Sequence, residues 1–319
     1  MKHFIALTVF SSFVALAHAQ APTSSANTYP IKPVKVVVGF APGGAADYVA
    51  RTLSDAMGKA LGQPIIVENK AGAGSSIAAE AVSKATPDGY TILIASPSSI
   101  SVNPALNPKL GYAPKDLMPV TKITTSPLVI AANPNAGIGS LTELVAKAKK
   151  APGTINYATS GNGSAPHLGA ALFAQVTGIE MTHIPFRGGG PAIQSVVAGD
   201  TQLTFGTPPS VLPMVQAGRL KGLGVSTKER TSLVPGLPGS IEAGVPDYAI
   251  EFWYGIFVPV GTPPAVVKKI FEATQTAMAQ PSVKASLARE GTDVDVSKSP
   301  EQFASFLAED AKFWVKLVK

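Results

Sequence analysis

Short apolar runs alternate with stretches of helical spacing along almost the whole chain, and this alternation limits the possible folds more than any other feature. Strand-like runs cover residues 34–40, 65–68, 88–96, 128–134, 155–161, 181–186, 202–206, 220–226 and 253–261. Between them lie helical patterns at 45–61, 75–84, 141–150, 164–177, 191–198 and 209–217, with three more at 264–278, 281–289 and 300–316. In the first helix Val49, Leu53, Met57 and Leu61 share one face. Repeated β-α units predict an α/β fold with mostly parallel sheets, and their number exceeds one compact sheet. With 319 residues, 45% of them apolar, the chain can build one large or two medium cores.

Two stretches read as linkers, "LMPVTKITTSP" at 117–127 and the Gly/Pro-rich segment 231–253. A self-sufficient set of β-α units lies between them. The expected plan is an inserted domain, with 30–125 and 253–319 forming domain 1 and 126–252 forming domain 2. A ligand then binds between domains, at the C-terminal ends of strands.

Lys2 and His3 precede the apolar run 4–16, and Ala17-His18-Ala19 fits a cleavage site before Gln20, so residues 1–19 read as a signal peptide. The run is too short to span a bilayer. The chain has no cysteine, which excludes disulfides, thiolate metal sites and an acylated N-terminal Cys. A cysteine-free exported protein without an anchor is expected in a Gram-negative periplasm. The 26 basic and 20 acidic residues are scattered without interleaved aromatics, so nucleic acid is not an expected partner. His167 and His183 stand apart with no ligand-spaced partner, and no metal or cofactor is expected.

Four strand-to-helix corners carry the small residues that a binding site needs. In "FAPGGAAD", Phe40 to Asp47, Pro42-Gly43-Gly44 turns the chain and leaves unpaired N–H groups at a helix start, a place suited to an anion. Asp47 reads as a cap of that helix or as part of a ligand loop. In "NKAGAGSSIA", Gly74 and Ser75 belong either to an anion nest or to simple packing, since the third glycine of a dinucleotide fingerprint is replaced by Ile77. In "TSGNGSAPHLGA", Ser160, Asn162 and Gly163 lead to Ser164, a candidate N-cap, with Pro166 in the first turn and His167 projecting from it. Ser164 Oγ, free backbone N–H groups and the imidazole could together hold a carboxylate. In "PFRGGGPAIQ", Arg187 either forks a carboxylate or faces solvent. Neither Ser164 nor Ser160 lies in the G-x-S-x-G of a nucleophile elbow. A secreted α/β hydrolase or transferase using Ser164 and His167 is the alternative from another class.

The stretches "YPIKPVKVVVGFAPGGAADYVAR", "LGQPIIVENKAGAGSSIAAEAV", "PDGYTILIAS", "GTINYATSGNGSAPHL", "HIPFRGGGPA" and "EAGVPDYAIEFWYGIFVPVGTP" occur in this order. Together they resemble the Bug receptors, the substrate-binding proteins of tripartite tricarboxylate transporters. The resemblance spans the mature chain. It implies a type II, Venus-flytrap fold with a hinge of two chain crossings that closes on a small organic anion. It also implies no reaction, a monomer, and membrane transporter subunits as partners, although some such receptors act without a transporter. Carried over, the first loop places Phe40, Pro42, Gly43 and Gly44 on a ligand carboxylate, with Asp47 gripping a bridging water. The loop around Ser164 and His167 contacts the ligand from domain 2, and Ser98 joins the expected ligand-binding set. Where many relatives carry an Asp after the strand "TQLTF", this chain has Gly206 and Thr207, so the expected partner of an ammonium group is missing. An amine-free carboxylate follows. Phe40 and Phe205 as flat apolar walls lean the reading toward an aromatic dicarboxylate such as terephthalate, with citrate-like acids second.

Overall fold

The computed structural model describes residues 29–318, so the signal-peptide expectation lies outside the described residues. The chain begins with β1 (Val34–Val38), α1 (Ala45–Leu61), β2 (Ile65–Asn69), α2 (Ser76–Ser83), β3 (Thr91–Ala95), the short α3 (Asn103–Leu106) and β4 (Leu117–Pro127). A second series follows: β5 (Val129–Ala132), α4 (Leu141–Lys150), β6 (Asn156–Thr159), α5 (Ala165–Thr177), β7 (Thr182–Pro185), α6 (Gly189–Ala198), β8 (Leu203–Gly206), α7 (Pro208–Gln216) and β9 (Lys221–Val225). The chain then returns through β10 (Glu251–Pro259) to α8 (Pro264–Ala279), α9 (Pro281–Arg289), β11 (Asp293–Val294) and α10 (Pro300–Val318).

Two sheets result, ordered β11-β4-β10-β3-β1-β2 and β7-β6-β8-β5-β9. Each is mixed, which corrects the expectation of mostly parallel sheets. Parallel pairing is confined to β2-β1-β3 and β7-β6-β8, where β-α-β units supply the crossovers. The strands that enter or leave a sheet, β4, β10 and β5, pair antiparallel.

Strand alternation assigns side chains to two apolar layers per sheet. Val34, Val36 and Val38 face α1, α8 and α9, whereas Val37 faces the opposite layer with Leu93, Phe257 and Phe303. In the second sheet Ile130, Leu203 and Phe205 face α4 and α5, and Val129, Ala131 and Ala158 face α6 and α7. Each fully buried Val, Leu or Phe contributes about 1.5–3 kcal/mol over leaving it exposed. A one-residue slip would turn both sets to the wrong layer, so the register is fixed.

The stretch 117–127, read from sequence as a linker, is the eleven-residue β4. It pairs with β10 over its whole length, ending with Glu251 opposite Pro127. These two strands leave the first sheet side by side, and β5 opens the second sheet two residues later. Buried Ser226 ties the crossing segments. Its Oγ accepts the Leu128 N–H (2.7 Å) and donates to Ile250 O (2.5 Å). A further correction concerns α10. Phe303 packs in the first lobe, but Trp314 lies in the second lobe's core against Phe252, so the terminal helix spans both lobes. Asp310, between them, accepts the indole N–H groups of Trp253 and Trp314, each at 2.8 Å.

Candidate functional site

The C-terminal ends of the parallel strands in both sheets face one another, and four helices begin there. The starts of α1 (Gly44, Ala45, Ala46), α5 (Ala165, Pro166), α6 (Gly189) and α7 (Thr207, Ser210) line one cavity of about 20 Å³. None of the four helices has a side-chain hydrogen bond at its N-cap. The first N–H groups of α1, α5 and α6 precede any intrahelical acceptor and point outward. Two prolines open α7, and the Ser210 N–H is spent on Thr207 O, so α7 offers hydroxyls and its dipole rather than free amides. The remaining wall comes from Phe40, Ser96, Ser160, Ala192, Ile193, Thr204, Gly206, Phe252 and Tyr254. Among the described residues no charged side chain lines the cavity. Positive partial charge from three sets of unpaired amides therefore meets with no neutralising group, which is the chemistry of an anion site.

The first loop is shaped by a buried acid. The Asp47 carboxylate, 4% exposed, accepts the Gly43 N–H at 3.1 Å, Arg51 Nε at 3.0 Å and Asn69 Nδ2 at 2.9 Å. Asn69 Nδ2 also donates to Phe40 O at 3.0 Å, so one amide links the acid to the cavity wall. Burial pushes the Asp47 carboxyl up, but the bonds from Arg51, Gly43 and Asn69 outweigh it and hold it below the usual carboxylate range. Its charge is thereby committed to Arg51, so it opposes a nearby anion less. Arg51 and Asn69 were not singled out from sequence. An Arg one turn after an Asp on the same helix was the available signal.

Of the residues named from sequence, Phe40, Gly44, Ser160, Gly206 and Thr207 stand in the cavity wall. Pro42 and Gly43 shape the loop behind Gly44, with Gly43 at φ +80°. Gly74, Asn162 and Gly163 lie outside the wall, where the lobes touch. A Cβ at Gly74 would lie 2.2 Å from Asn162 O, and one at Gly163 would lie 2.4 Å from Asn103 Oδ1. The two lobes also meet at Gly44 and Gly189. Ser75 and Ser98 are buried but outside the wall, and Arg187 is exposed away from it.

Three expectations are corrected. Ser164 stands at the N-cap of α5 as expected, but its hydroxyl donates to Gly161 O at 2.6 Å instead of accepting a helix N–H. His167, one helical step past Pro166, is turned off the cavity. Its Nδ1 accepts the Gly163 N–H at 3.1 Å and its ring stacks on His183 at 4.3 Å. The Ser164–His167 pair of the hydrolase alternative is thus not hydrogen-bonded. Burial lowers the His167 pKa, and burial followed by the neighbouring His167 brings His183 down to about 4. Phe205 is fully buried against Phe173 and Tyr248, because strand alternation sends Thr204 and Gly206 to the cavity and Phe205 to the opposite layer. The aromatic wall comes from Phe40, as expected, together with Phe252 and Tyr254 of β10, which were not singled out from sequence. Among the described residues no cluster of three metal-ligating side chains occurs, and no helix is long and apolar enough to cross a membrane.

The fold recurs in solved structures. The fold superposes on a Rhodopseudomonas palustris protein with adipate (TM-score 0.87, 29% identity, 91% of this chain and 97% of that one). It also superposes on MatC from the same organism with bound malate (TM-score 0.86, 33% identity, 91% of this chain and all of that one). Over 315 residues the chain is 34% identical to Protein BugT of Bordetella pertussis, covering 98% of this chain and 96% of that protein. Residues 49–319 match the family described as "Tripartite tricarboxylate transporter family receptor". A two-lobed α/β frame that gathers uncapped helix starts on one cleft, on a sequence of this similarity, belongs to that receptor family, the Bug-type periplasmic solute-binding proteins.

Proposed function

We propose that this protein is a periplasmic receptor that captures an amine-free dicarboxylate between its lobes and presents it to the membrane subunits of a tripartite tricarboxylate-type transporter. The observation that carries this reading is the convergence of the uncapped starts of α1, α5 and α6 on a cavity without a charged side chain. Carboxylates are stabilised there by N–H donors and helix dipoles. An ammonium group would meet the same positive ends and no carboxylate, at a high desolvation cost. Gly206 and Thr207 at the wall agree with this exclusion.

The ligand body is aliphatic in this reading. Phe205 is unavailable as a flat wall, but Phe40, Phe252 and Tyr254 line the cavity, so the choice of an aliphatic body rests on the relatives with adipate and malate. Entry requires the lobes to part about the segments tied by Ser226, and closure is selected because only the closed form lets both lobes contact one small anion. The receptor works as a monomer and performs no reaction.

Calorimetry against succinate, L-malate, adipate, citrate, terephthalate, aspartate and glutamate tests the reading. Tight binding of at least one amine-free dicarboxylate is expected, with the amino acids silent. Binding of an amino acid with every amine-free acid silent would overturn it. A ligand at 100 Kd should also stabilise the fold by about 2.7 kcal/mol in thermal unfolding.

A further inference from the structure

We propose that Ser96 reads a neutral oxygen on the ligand body, so that the receptor prefers a hydroxy-dicarboxylate to its deoxy analogue. This rests on the reading of the cavity as a dicarboxylate site. Ser96 follows β3 directly and lines the cavity together with Phe40, two residues past β1. It is 1% exposed, and its Oγ has no hydrogen-bond partner among the described residues. Ser75, Ser98, Ser99 and Ser101 share that property in the same lobe, but none of them lines the cavity. On the other side of the cavity, Thr204 Oγ1 is spent on Ala158 O at 3.0 Å, and Thr207 Oγ1 and Ser210 Oγ face each other at 3.4 Å. The hydroxyls of Ser160 and Tyr254 in the wall also make no hydrogen bond among the described residues, but Ser96 is the wall residue whose hydroxyl oxygen is fully buried and unpartnered.

The chemistry follows from what a lone hydroxyl can do. A buried hydroxyl without a partner is costly, so the bound ligand that satisfies it gains over one that does not. The carboxylates have better places at the helix starts, where several amides point at one position. What remains for Ser96 lies between those ends, on the ligand body. A serine there can both donate and accept, which matches a hydroxyl, itself donor and acceptor. Sites built to bond a ligand hydroxyl reject the analogue lacking it, because their own polar group is then left unpaired.

The test compares L-malate with succinate, which differ by one hydroxyl, on wild type, Ser96→Ala and Ser101→Ala by calorimetry. Wild type should bind L-malate about ten-fold more tightly, the worth of one buried hydrogen bond. Ser96→Ala should bring the two affinities within about two-fold, chiefly by weakening L-malate. Ser101→Ala, which removes a buried unpartnered hydroxyl away from the cavity, should keep the wild-type ratio. Equal or weaker binding of L-malate by wild type, or an unchanged ratio in Ser96→Ala, overturns the assignment. So does binding of adipate with both four-carbon acids silent. If no dicarboxylate binds at all, it is the carboxylate reading of the cavity that fails.

Discussion

Replacing Gly74 by alanine separates lobe closure from fold stability. Gly74 has φ +58°, and a Cβ there would stand 2.2 Å from Asn162 O in the other lobe and 2.9 Å from Asn103 Nδ2 in its own. Holding alanine in the left-handed region costs about 1–2 kcal/mol. That strain and the Asn103 contact exist whether the lobes touch or not, so they lower thermal stability without changing affinity. The Asn162 contact exists only when the lobes meet. An ordinary carbon–oxygen contact is about 3.3 Å, so the inter-lobe contact must give by about 1 Å. Overpacking of this kind costs about 1–3 kcal/mol, which converts to about 5- to 150-fold weaker ligand binding. Gly178→Ala is the matched control. Its φ is +64°, with open space around a Cβ, so it carries the backbone strain without an inter-lobe contact. Both variants should melt a few degrees below wild type. Calorimetry with the best-binding dicarboxylate should find only Gly74→Ala weakened, and scattering should find its liganded radius of gyration larger than wild type's. Wild-type affinity in Gly74→Ala, or equal weakening in Gly178→Ala, would refute the reasoning.

Asp47→Asn should loosen the first loop and weaken binding, since hydrogen bonds to a charged group are worth about 1.5–3 kcal/mol; calorimetry and thermal unfolding read both effects. The lowered Asp47 pKa means its contribution is present above the ordinary aspartate value near 3.9 and lost as pH falls through the folded value, so Asp47→Asn should flatten the melting curve only below about pH 4. His183 has the same sign over a higher window: with a folded pKa of about 4 against 6.5, the unfolded chain binds more protons between these values, and stability falls as pH drops from 6.5 to 4. His183→Gln should remove part of that slope in melts across this range. Trp314→Ala should destabilise by about 3–5 kcal/mol in denaturant unfolding, because the indole is 1% exposed in the second lobe's core and its N–H is held by Asp310.

Much of the fold is legible in local pattern, and its failures have local causes. Stretch 117–127 looks like a linker because it holds Pro119 and Pro127 among threonines. It forms a strand because β11 pairs only with Thr124 and Thr125, leaving both prolines where no neighbour on that side needs an N–H. The site was legible at its corners. Phe40, Gly44, Ser160, Gly206 and Thr207 follow apolar runs and precede helices, and they reach the cavity wall. His167 and Phe205 are adjacent to wall residues in sequence but not in direction. A helix turns by 100° per residue and a strand alternates faces, so a neighbour of a lining residue usually points elsewhere.

The sequence alone determined the β-α units, the four glycine-rich corners and the absence of an acid after β8, because each depends on residues close in the chain. Only the tertiary structure decided which helix starts share a cavity, since α1 and α6 are brought together across two lobes from residues some 145 positions apart (189 − 44). It alone placed Phe252 and Tyr254 beside Phe40, gave α10 a foot in each lobe, and left the Ser96 hydroxyl without a partner. The physical reason is one of range. Periodicity and turn chemistry are set by neighbours along the chain, whereas burial, hydrogen-bond satisfaction and the field at a cavity are set by whatever long-range packing brings near.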